Sequence, residues 1–280
     1  MSLEVTPHAT QPQLAMYPLH PRTIDVVRSA DLSAQLRRIT FRITSPEDFR
    51  FTHMAPDDHV KLFFADAETG EIIMPGVGAD GMRLPTEGKR PTYRDYTIRA
   101  FDRESGLLDI DFVLHDHGVG GSWAIGASAG DSLGMLGPRG SVIYPTGYDW
   151  YLLGADDTAI PALARWLEEL PAGIPVVAFV EVSDGDDEPE LPAREGASIR
   201  FLHRSASATD ANPLFDAIRE HEFAAGAFYS WVAGEANSVK PIRRYLRRNL
   251  GLPKERVKVD GYWRQGTVNL DHHEADGLDD

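Results

Sequence analysis

Residues 150–182 decide the fold of the second half of the chain; they read Trp-Tyr-Leu-Leu-Gly-Ala-Asp-Asp-Thr-Ala-Ile-Pro-Ala-Leu-Ala-Arg-Trp-Leu-Glu-Glu-Leu-Pro-Ala-Gly-Ile-Pro-Val-Val-Ala-Phe-Val-Glu-Val. Residues 150–153 form an apolar run typical of a strand. Asp156 or Asp157 can cap a helix that follows, and Pro161 suits its first turn. Apolar residues then recur at helical spacing until Pro171 and Gly173 end the helix. Residues 174–182 are almost continuously apolar, as in a strand buried on both faces.

The same alternation of strand and helix continues towards the C-terminus. Strands are predicted at residues 198–203, 227–232 and 257–262, and helices at 213–223 and 239–250. Strands that alternate with helices indicate a parallel sheet with right-handed crossovers. The sequence therefore predicts an α/β domain over residues 146–270. An acidic, flexible tail is expected at residues 271–280.

The first half of the chain has a different rhythm, with short strands separated by turn residues. Residues 38–43, 59–64 and 109–114 are strand-like, a long loop is expected at 75–91, and one helix at 122–129. Several short strands at this spacing favour an antiparallel barrel or sandwich. We predict that residues 19–145 form this β domain and that residues 1–18 are flexible. The expected fold class is thus an antiparallel β-barrel followed by a parallel-sheet α/β domain.

Composition excludes several classes of function. The 280 residues contain no cysteine, which rules out disulfides, thiolate metal sites and cysteine-ligated iron–sulfur clusters. The formal net charge of −15 argues against nucleic-acid binding, which needs a basic surface. No apolar run is long enough for a membrane helix, and the N-terminus shows no secretory signal. We therefore expect a cytoplasmic protein without membrane insertion or a nucleic-acid partner.

Residues 90–99, Arg-Pro-Thr-Tyr-Arg-Asp-Tyr-Thr-Ile-Arg, carry the most chemical information. On a strand, Arg94, Tyr96 and Ile98 would share one face, while Thr97 and Arg99 would lie on the other. A tyrosine can stack on a flat ring, a threonine can hydrogen-bond its edge, and arginines can pair with phosphate oxygens. The stretch therefore suits a planar cofactor that carries a pyrophosphate. An edge strand with solvated arginines and a packed tyrosine is the alternative.

Further segments, in order along the chain, carry a resemblance to a known family. The Arg-x-Tyr-Thr-x-Arg pattern at 94–99 resembles the flavin signature of the ferredoxin-reductase-like superfamily. More narrowly, the chain resembles the siderophore-interacting proteins, which are FAD-dependent, NAD(P)H-linked ferric-siderophore reductases. The resemblance extends over most of residues 20–266, through these segments: 111–115, 118–124, 130–131, 137–141, 150–162, 233–236 and 261–264.

The resemblance implies an oxidoreductase that takes a hydride from NADPH or NADH and passes electrons through FAD to a ferric siderophore. The residues expected to hold FAD are Arg94, Tyr96, Thr97, Ile98, Arg99, His115, Gly120, Gly121, Ser122 and Trp123. Gly120 and Gly121 let backbone amides approach the pyrophosphate, and a helix N-terminus favours such an anion. Two alternatives remain open: a related flavin reductase with another electron acceptor, and a non-catalytic siderophore-binding module.

A nicotinamide nucleotide is expected at the carboxyl ends of the parallel strands, although no G-x-G-x-x-G fingerprint is present. The residues assigned to it are Asp156, Thr158, Ala159, Gly234 and Glu235. For Trp263 the resemblance suggests a place near the flavin pocket, and packing against the core is the alternative. Arg204 and Ser205 follow another strand and could hold a ribose 2′-phosphate, which would favour NADPH; a plain strand-end loop is the alternative.

Cations near the flavin would attract an anionic ferric siderophore, and the resemblance points to Lys61 and Arg139. Solvent-exposed charges are an equally open reading of these two residues. His115 and His117 do not suffice for a metal site, and His272 and His273 fall in the predicted tail, so no metal is expected. The arginines at 243, 244, 247 and 248 are predicted to form a solvated helix face.

Overall fold

The computed structural model describes residues 10–78, 81–207 and 211–267. The chain divides into two compact units. Of the described residues, the first unit comprises Leu14–Ile143, and the second comprises residues 10–13 and those from Tyr144 onwards. In the described residues, no helix is both long enough and apolar enough to cross a membrane.

The first unit is built almost entirely of antiparallel strands. Seven of them form one sheet in the order β7-β4-β10-β2-β3-β9-β8. The elements are β1 (Gln13–Met16), β2 (Arg22–Asp31), β3 (Leu36–Ile43), β4 (His59–Phe64), β5 (Gly76–Gly78), β6 (Gly81–Arg83), β7 (Thr92–Thr97), β8 (Ala100–Asp102), β9 (Leu107–Val113), α1 (Val119–Gly126), β10 (Ser132–Leu136) and β11 (Gly140–Ile143).

This sheet is curled into a barrel, as its connections require. Strands β7 and β8 lie at opposite edges of the sheet, yet only Ile98 and Arg99 separate them in sequence. A flat seven-stranded sheet would place its edges about 29 Å apart, far beyond the reach of two residues. The Arg99 amide donates to the Asp109 carbonyl on β9, and Ile98 is fully buried in the core. The predicted β-barrel is therefore present.

Three details of the first unit differ from the sequence prediction. Residues 76–78 and 81–83 pair as the antiparallel strands β5 and β6, where a long loop was expected; three-residue strands rich in glycine give no readable alternation. Helix α1 begins at Val119, three residues before the expected start. Residues 13–16 of the predicted flexible N-terminus form strand β1, which pairs with β11. Residues 1–9 and the predicted tail at 271–280 lie outside the described residues.

The second unit alternates strands and helices, as predicted. Its elements are β12 (Trp150–Ala155), α2 (Ile160–Glu169), β13 (Val176–Val182), β14 (Ala197–His203), α3 (Pro213–Glu220), β15 (Phe228–Glu235), α4 (Ala236–Arg244) and β16 (Val257–Trp263). All five strands are parallel, in the order β14-β13-β12-β15-β16. The order reverses between β12 and β15, so their carboxyl ends form the switch point at which such sheets bind ligands.

The helix boundaries of this unit differ from the prediction in three places, the first of which is the end of α3 at Glu220 rather than at residue 223. Helix α4 begins at Ala236 rather than Val239, because Glu235 caps it by accepting a hydrogen bond from the Ser238 amide at 2.8 Å. Its α-helical part ends at Arg244, and a π-helical turn covers Tyr245–Asn249. Arg244, Arg247 and Arg248 are exposed, whereas Arg243 is half-buried and donates to the Val259 carbonyl.

Candidate functional site

The N-terminus of α1 in the first unit has the features of a phosphate cradle. Gly118 precedes the helix with φ of 78°, and Val119, Gly120 and Gly121 form the first turn. The amides of a first helical turn have no partners within the helix and favour an anion. The glycines are thus part of the helix start itself, rather than a loop before it.

Both glycines are required by what lies against them. A Cβ atom on Gly120 would overlap the Tyr96 hydroxyl, and one on Gly121 would lie within 2.6 Å of the His115 ring. Glycine at these positions therefore brings strand β7, the segment after β9 and α1 close together. The cluster of Tyr96, His115, Gly120 and Gly121 unites four of the predicted flavin residues in one place.

Tyr96 is partly buried, with its ring 4.3 Å from that of Phe112 between centroids. Burial raises the pKa of the Tyr96 phenol, so the hydroxyl stays protonated and can donate a hydrogen bond. On the same strand, Arg94 is partly exposed and donates to the Tyr93 carbonyl at 2.6 Å. Tyr96 and Arg94 are the members of the 94–99 motif that keep surface available to a ligand.

The other members of the motif are more deeply placed. Thr97, Ile98 and Arg99 are all buried, and the regular strand ends at Thr97. The Ile98 amide donates to the Asp58 carbonyl at 2.8 Å. These residues secure the closure of the barrel, and their direct contact with a flavin stays a prediction.

Ser122, Trp123 and His115 surround the helix start in different ways. Ser122 and His115 are exposed, while Trp123 packs against Phe41, Phe64 and Phe112 at centroid distances of 5.7–6.2 Å. Trp123 thereby anchors α1 to the barrel core. Among the described residues, no three histidine or acidic side chains are grouped as a metal site would require, and His272 and His273 lie outside those residues.

Lys61 and Arg139, predicted to contact substrate, line one cleft of the first unit. The cleft has a volume of about 160 Å³, and His59, Met82 and Leu136 also line it. Lys61 faces Asp95 across the β4–β7 pair and forms an ion pair with it at 2.7 Å. Arg139 also lines a neighbouring hollow of about 240 Å³ beside residues 16–19. The β5–β6 hairpin thus forms one side of a basic cleft.

In the second unit, a buried carboxylate occupies the switch point of the sheet. Asp156 follows β12 and is 7% exposed. It accepts hydrogen bonds from the Thr158 amide at 2.9 Å, the Thr158 hydroxyl at 2.6 Å and the Glu235 amide at 2.9 Å. The Trp263 indole donates a fourth at 2.8 Å. Burial raises the pKa of Asp156 even though Thr158 and Trp263 donate hydrogen bonds to it.

This network changes the interpretation of the predicted nucleotide residues. The amides of Thr158 and Glu235, expected to face a ligand, donate to the Asp156 carboxylate, and the Ala159 amide donates to the Asp156 carbonyl. Gly234 leaves room for this carboxylate, since a Cβ there would lie 2.9 Å from it. Contact of these residues with a nucleotide stays a prediction that rests on their place at the strand ends, not on free donors.

A second polar cluster lies beside Asp156 at the ends of β12, β13 and β14. Arg204 forms ion pairs with Asp157 and with Glu181, the latter at 3.4 Å. The other Glu181 oxygen accepts from the Leu214 amide at 3.2 Å. Burial raises the pKa of Asp157 to about 6 and raises that of Glu181, against the opposing effect of Arg204. We call Asp157, Glu181 and Arg204 the Arg204 cluster.

Glu181 is the member of this cluster that the sequence analysis missed. Its signal was present, since it is the one charged residue in the apolar run 174–182. A lone carboxylate in a strand buried on both faces needs a cation or a hydrogen-bond donor nearby. Arg204 supplies the cation and Leu214 the donor.

Comparisons with known families follow the division of the chain. The sequence profile described as "Siderophore-interacting FAD-binding domain" matches residues 25–142, and the profile described as "Siderophore-interacting protein" matches residues 148–266. The chain belongs to the siderophore-interacting protein family. Residues 25–142 are accordingly its FAD-binding domain, which confirms the expected cofactor and places the glycine cradle and Tyr96 inside that domain.

Individual relatives agree with this membership. The chain is 32% identical to "Ferric vibriobactin reductase ViuB" of Vibrio cholerae, over 91% of this chain and 94% of that protein. It is 34% identical to the "NADPH-dependent ferric-chelate reductase" of Escherichia coli, over 90% and 96%. A solved structure, "a siderophore utilization protein from T. fusca", is 45% identical with a TM-score of 0.86, over 94% of this chain and 100% of that one.

Proposed function

We propose that this chain is an FAD-dependent reductase that uses NADPH or NADH to reduce ferric siderophores and release Fe(II). The glycine start of α1 carries the proposal, because Gly120 and Gly121 let the Tyr96 hydroxyl and the His115 ring lie against a helix N-terminus that no side chain caps. The names of the relatives support the ferric substrate and the nicotinamide donor. A cytoplasmic location is part of the proposal.

FAD, when bound, would supply the redox chemistry that links a two-electron hydride donor to the one-electron reduction of iron. The chain's own residues would bind and orient it. The α1 amides would hold the pyrophosphate, Ser122 would add a hydroxyl donor, and Arg94 would pair with a phosphate oxygen. The protonated Tyr96 hydroxyl would donate to the cofactor, and its ring, fixed by Phe112, would limit how the cofactor sits.

The nicotinamide nucleotide would bind at the carboxyl ends of β12, β14 and β15 in the second unit. Asp156, by tying Thr158, Glu235 and Trp263 together, would fix the shape of that edge. Arg204 and Ser205, after β14, would receive the ribose 2′-phosphate of NADPH. Arg204 keeps 40% of its side chain exposed for this purpose.

The ferric chelate would be attracted by the basic cleft of Lys61 and Arg139. Asp95 pairs with Lys61 and would reduce this attraction without removing it. Because an anionic ferric siderophore is attracted by positive charge, the cleft would mainly raise the association rate and the affinity of the substrate.

The proposal is tested by anaerobic turnover of the purified protein loaded with FAD. A ferric siderophore and a colorimetric Fe(II) chelator are supplied with NADPH or NADH, and Fe(II) formation is followed. We expect catalytic Fe(II) release that depends on both FAD and the nucleotide. Lys61→Gln together with Arg139→Gln should raise KM for the chelate at least severalfold, whereas Lys89→Gln, an exposed lysine paired with Asp66 and Glu68, should not.

Each alternative gives a distinct result. Rapid reduction of quinones or free flavin without Fe(II) release would identify a flavin reductase with another acceptor. Tight siderophore binding without turnover would identify a binding module. Folded protein that retains no flavin would contradict the reductase proposal.

A further inference from the structure

The Arg204 cluster raises a question that the proposed function leaves open. A guanidinium suited to a 2′-phosphate is held here by two carboxylates of the same chain, Asp157 and Glu181. The three side chains come from the ends of three adjacent parallel strands, β12, β13 and β14. Their placement is therefore set by the sheet, not by a single loop.

The acidic side chains around Arg204 oppose the binding of a ribose 2′-phosphate. Asp157 and Glu181 are 17% and 12% exposed, and each forms an ion pair with Arg204. Asp156, next along the chain, adds another acidic group whose charge acts on Glu181 and Arg204. A 2′-phosphate carries a charge of about −1.5 to −2 at neutral pH, as other phosphate monoesters do. It would have to displace or share the carboxylates to reach Arg204.

An unphosphorylated ribose meets no such conflict. Carboxylates at the ends of parallel strands accept hydrogen bonds from a ribose 2′-hydroxyl, which is how many sheets of this type hold NADH. Asp157 and Glu181 would accept such a bond while Arg204 keeps their charge balanced. The same three residues thus present a cation to NADPH and acceptors to NADH.

We propose that Asp157 and Glu181 determine the choice between NADPH and NADH by competing with the 2′-phosphate for Arg204. This inference rests on the proposed function, since it assumes that the second unit binds a nicotinamide dinucleotide. Asp157 is the stronger competitor, because its contact with Arg204 is closer than that of Glu181 and Glu181 is also committed to the Leu214 amide.

The test measures nucleotide binding directly, without turnover. Adenosine 2′,5′-bisphosphate and 5′-AMP are titrated calorimetrically into the full chain and into three variants, Asp157→Asn, Arg204→Ala and Glu188→Gln. Asp157→Asn should tighten binding of the bisphosphate about twofold to fivefold, as expected for release of one ion pair, and should not tighten binding of 5′-AMP, whose 2′-hydroxyl loses a charged acceptor. Arg204→Ala should remove the preference for the bisphosphate.

Glu188→Gln is the matched control. Glu188 pairs with His203 at 2.7 Å, one residue before Arg204, whereas the ion pairs of Arg204 within the described residues are with Asp157 and Glu181. Its substitution should leave both affinities unchanged. Asp157→Ser serves as a second variant if Asp157→Asn folds poorly, and it should shift the bisphosphate in the same direction.

An unchanged ratio of the two affinities in Asp157→Asn and Asp157→Ser would overturn the inference. So would the failure of every variant and the parent chain to bind either nucleotide. Ferric-chelate turnover is measured separately. If the Asp157 variants shift the ratio of the two affinities but the protein reduces no ferric chelate, only the proposed function is contradicted. If the protein reduces ferric chelates and the ratio is unchanged, only the inference is contradicted.

Discussion

Two helix starts in this molecule have opposite solutions to the same problem. At α1 no side chain caps the first turn, and the Tyr96 hydroxyl and the His115 ring lie directly against its two glycines. After β12 the corresponding turn is closed by the Asp156 carboxylate, which accepts from two amides, a hydroxyl and an indole. The comparison teaches that the residue at the cap decides whether a helix start is left for an external anion or is filled from within.

The largest expected effect is that of Asp156→Ala, which removes the carboxylate that closes the turn after β12. This carboxylate is buried, and its removal leaves the Thr158 and Glu235 amides and the Trp263 indole without their acceptor. We expect the free energy of unfolding to fall by about 3–5 kcal/mol, the range for breaking a buried polar network. Urea denaturation measures it. A loss below about 1 kcal/mol would show that water replaces the carboxylate easily.

Adding a side chain at the glycine start of α1 should have the next largest effect. A methyl group in Gly120→Ala overlaps the Tyr96 hydroxyl, so the strand and helix must separate. We expect a destabilisation of about 1–3 kcal/mol and at least tenfold weaker FAD binding. Gly126→Ala, in the same helix with nothing within 4 Å of its added Cβ, is the control and should be neutral or stabilising. Equal FAD affinity in the two variants would contradict the cradle.

The pH dependence of stability tests the region after β12, where Asp157 lies next to Asp156. The pKa of Asp157 is raised to about 6 in the folded chain, so the native state holds this proton more tightly than the unfolded state. Its contribution to stability is therefore greatest at low pH and is lost as pH rises from about 4 to above 6. Relative to Asp157→Asn, the parent chain should lose about 2 kcal/mol over that interval. Urea denaturation at several pH values gives the difference, and a difference that does not change with pH would refute it.

The smallest effect is expected for Trp263→Phe, which removes one of the four donors to Asp156 and keeps most of the ring. The unfolding free energy should fall by about 0.5–1.5 kcal/mol, the net value of one hydrogen bond. Gln265→Ala, two residues later and exposed, should change it by less. If both substitutions behave alike, the indole bond adds nothing to the network.

The sequence predicted the two-part architecture because each half has its own period. Apolar runs and capping signals in residues 150–182 identified β12, α2 and β13, and the barrel strands alternated clearly. The hairpin β5–β6 escaped because its strands have three residues each, several of them glycine. The start of α4 escaped because Glu235 was assigned to a ligand, while its side chain caps the helix.

The location of the candidate site could be predicted from the sequence better than its hydrogen bonds could. The structure brings Tyr96, Gly120, Gly121 and His115 together, while their contact with a flavin stays a prediction. The filling of the β12 turn by Asp156 could not be read, because an aspartate after a strand serves equally as a cap or as a ligand contact. Only three-dimensional packing shows that Glu235 and Trp263, distant in sequence, donate to it.

The position of strand β10 within the barrel sheet has a consequence for how the chain is made. Strand β10 lies between β4 and β2, so until it is present the sheet remains in two pieces, β7-β4 and β2-β3-β9-β8. A chain emerging from the ribosome therefore contains the whole 94–99 motif long before residues 132–136 allow the barrel to form. Cofactor capture would have to wait for that late strand, so a nascent chain stalled before Leu136 would carry the flavin motif without a place to put a flavin.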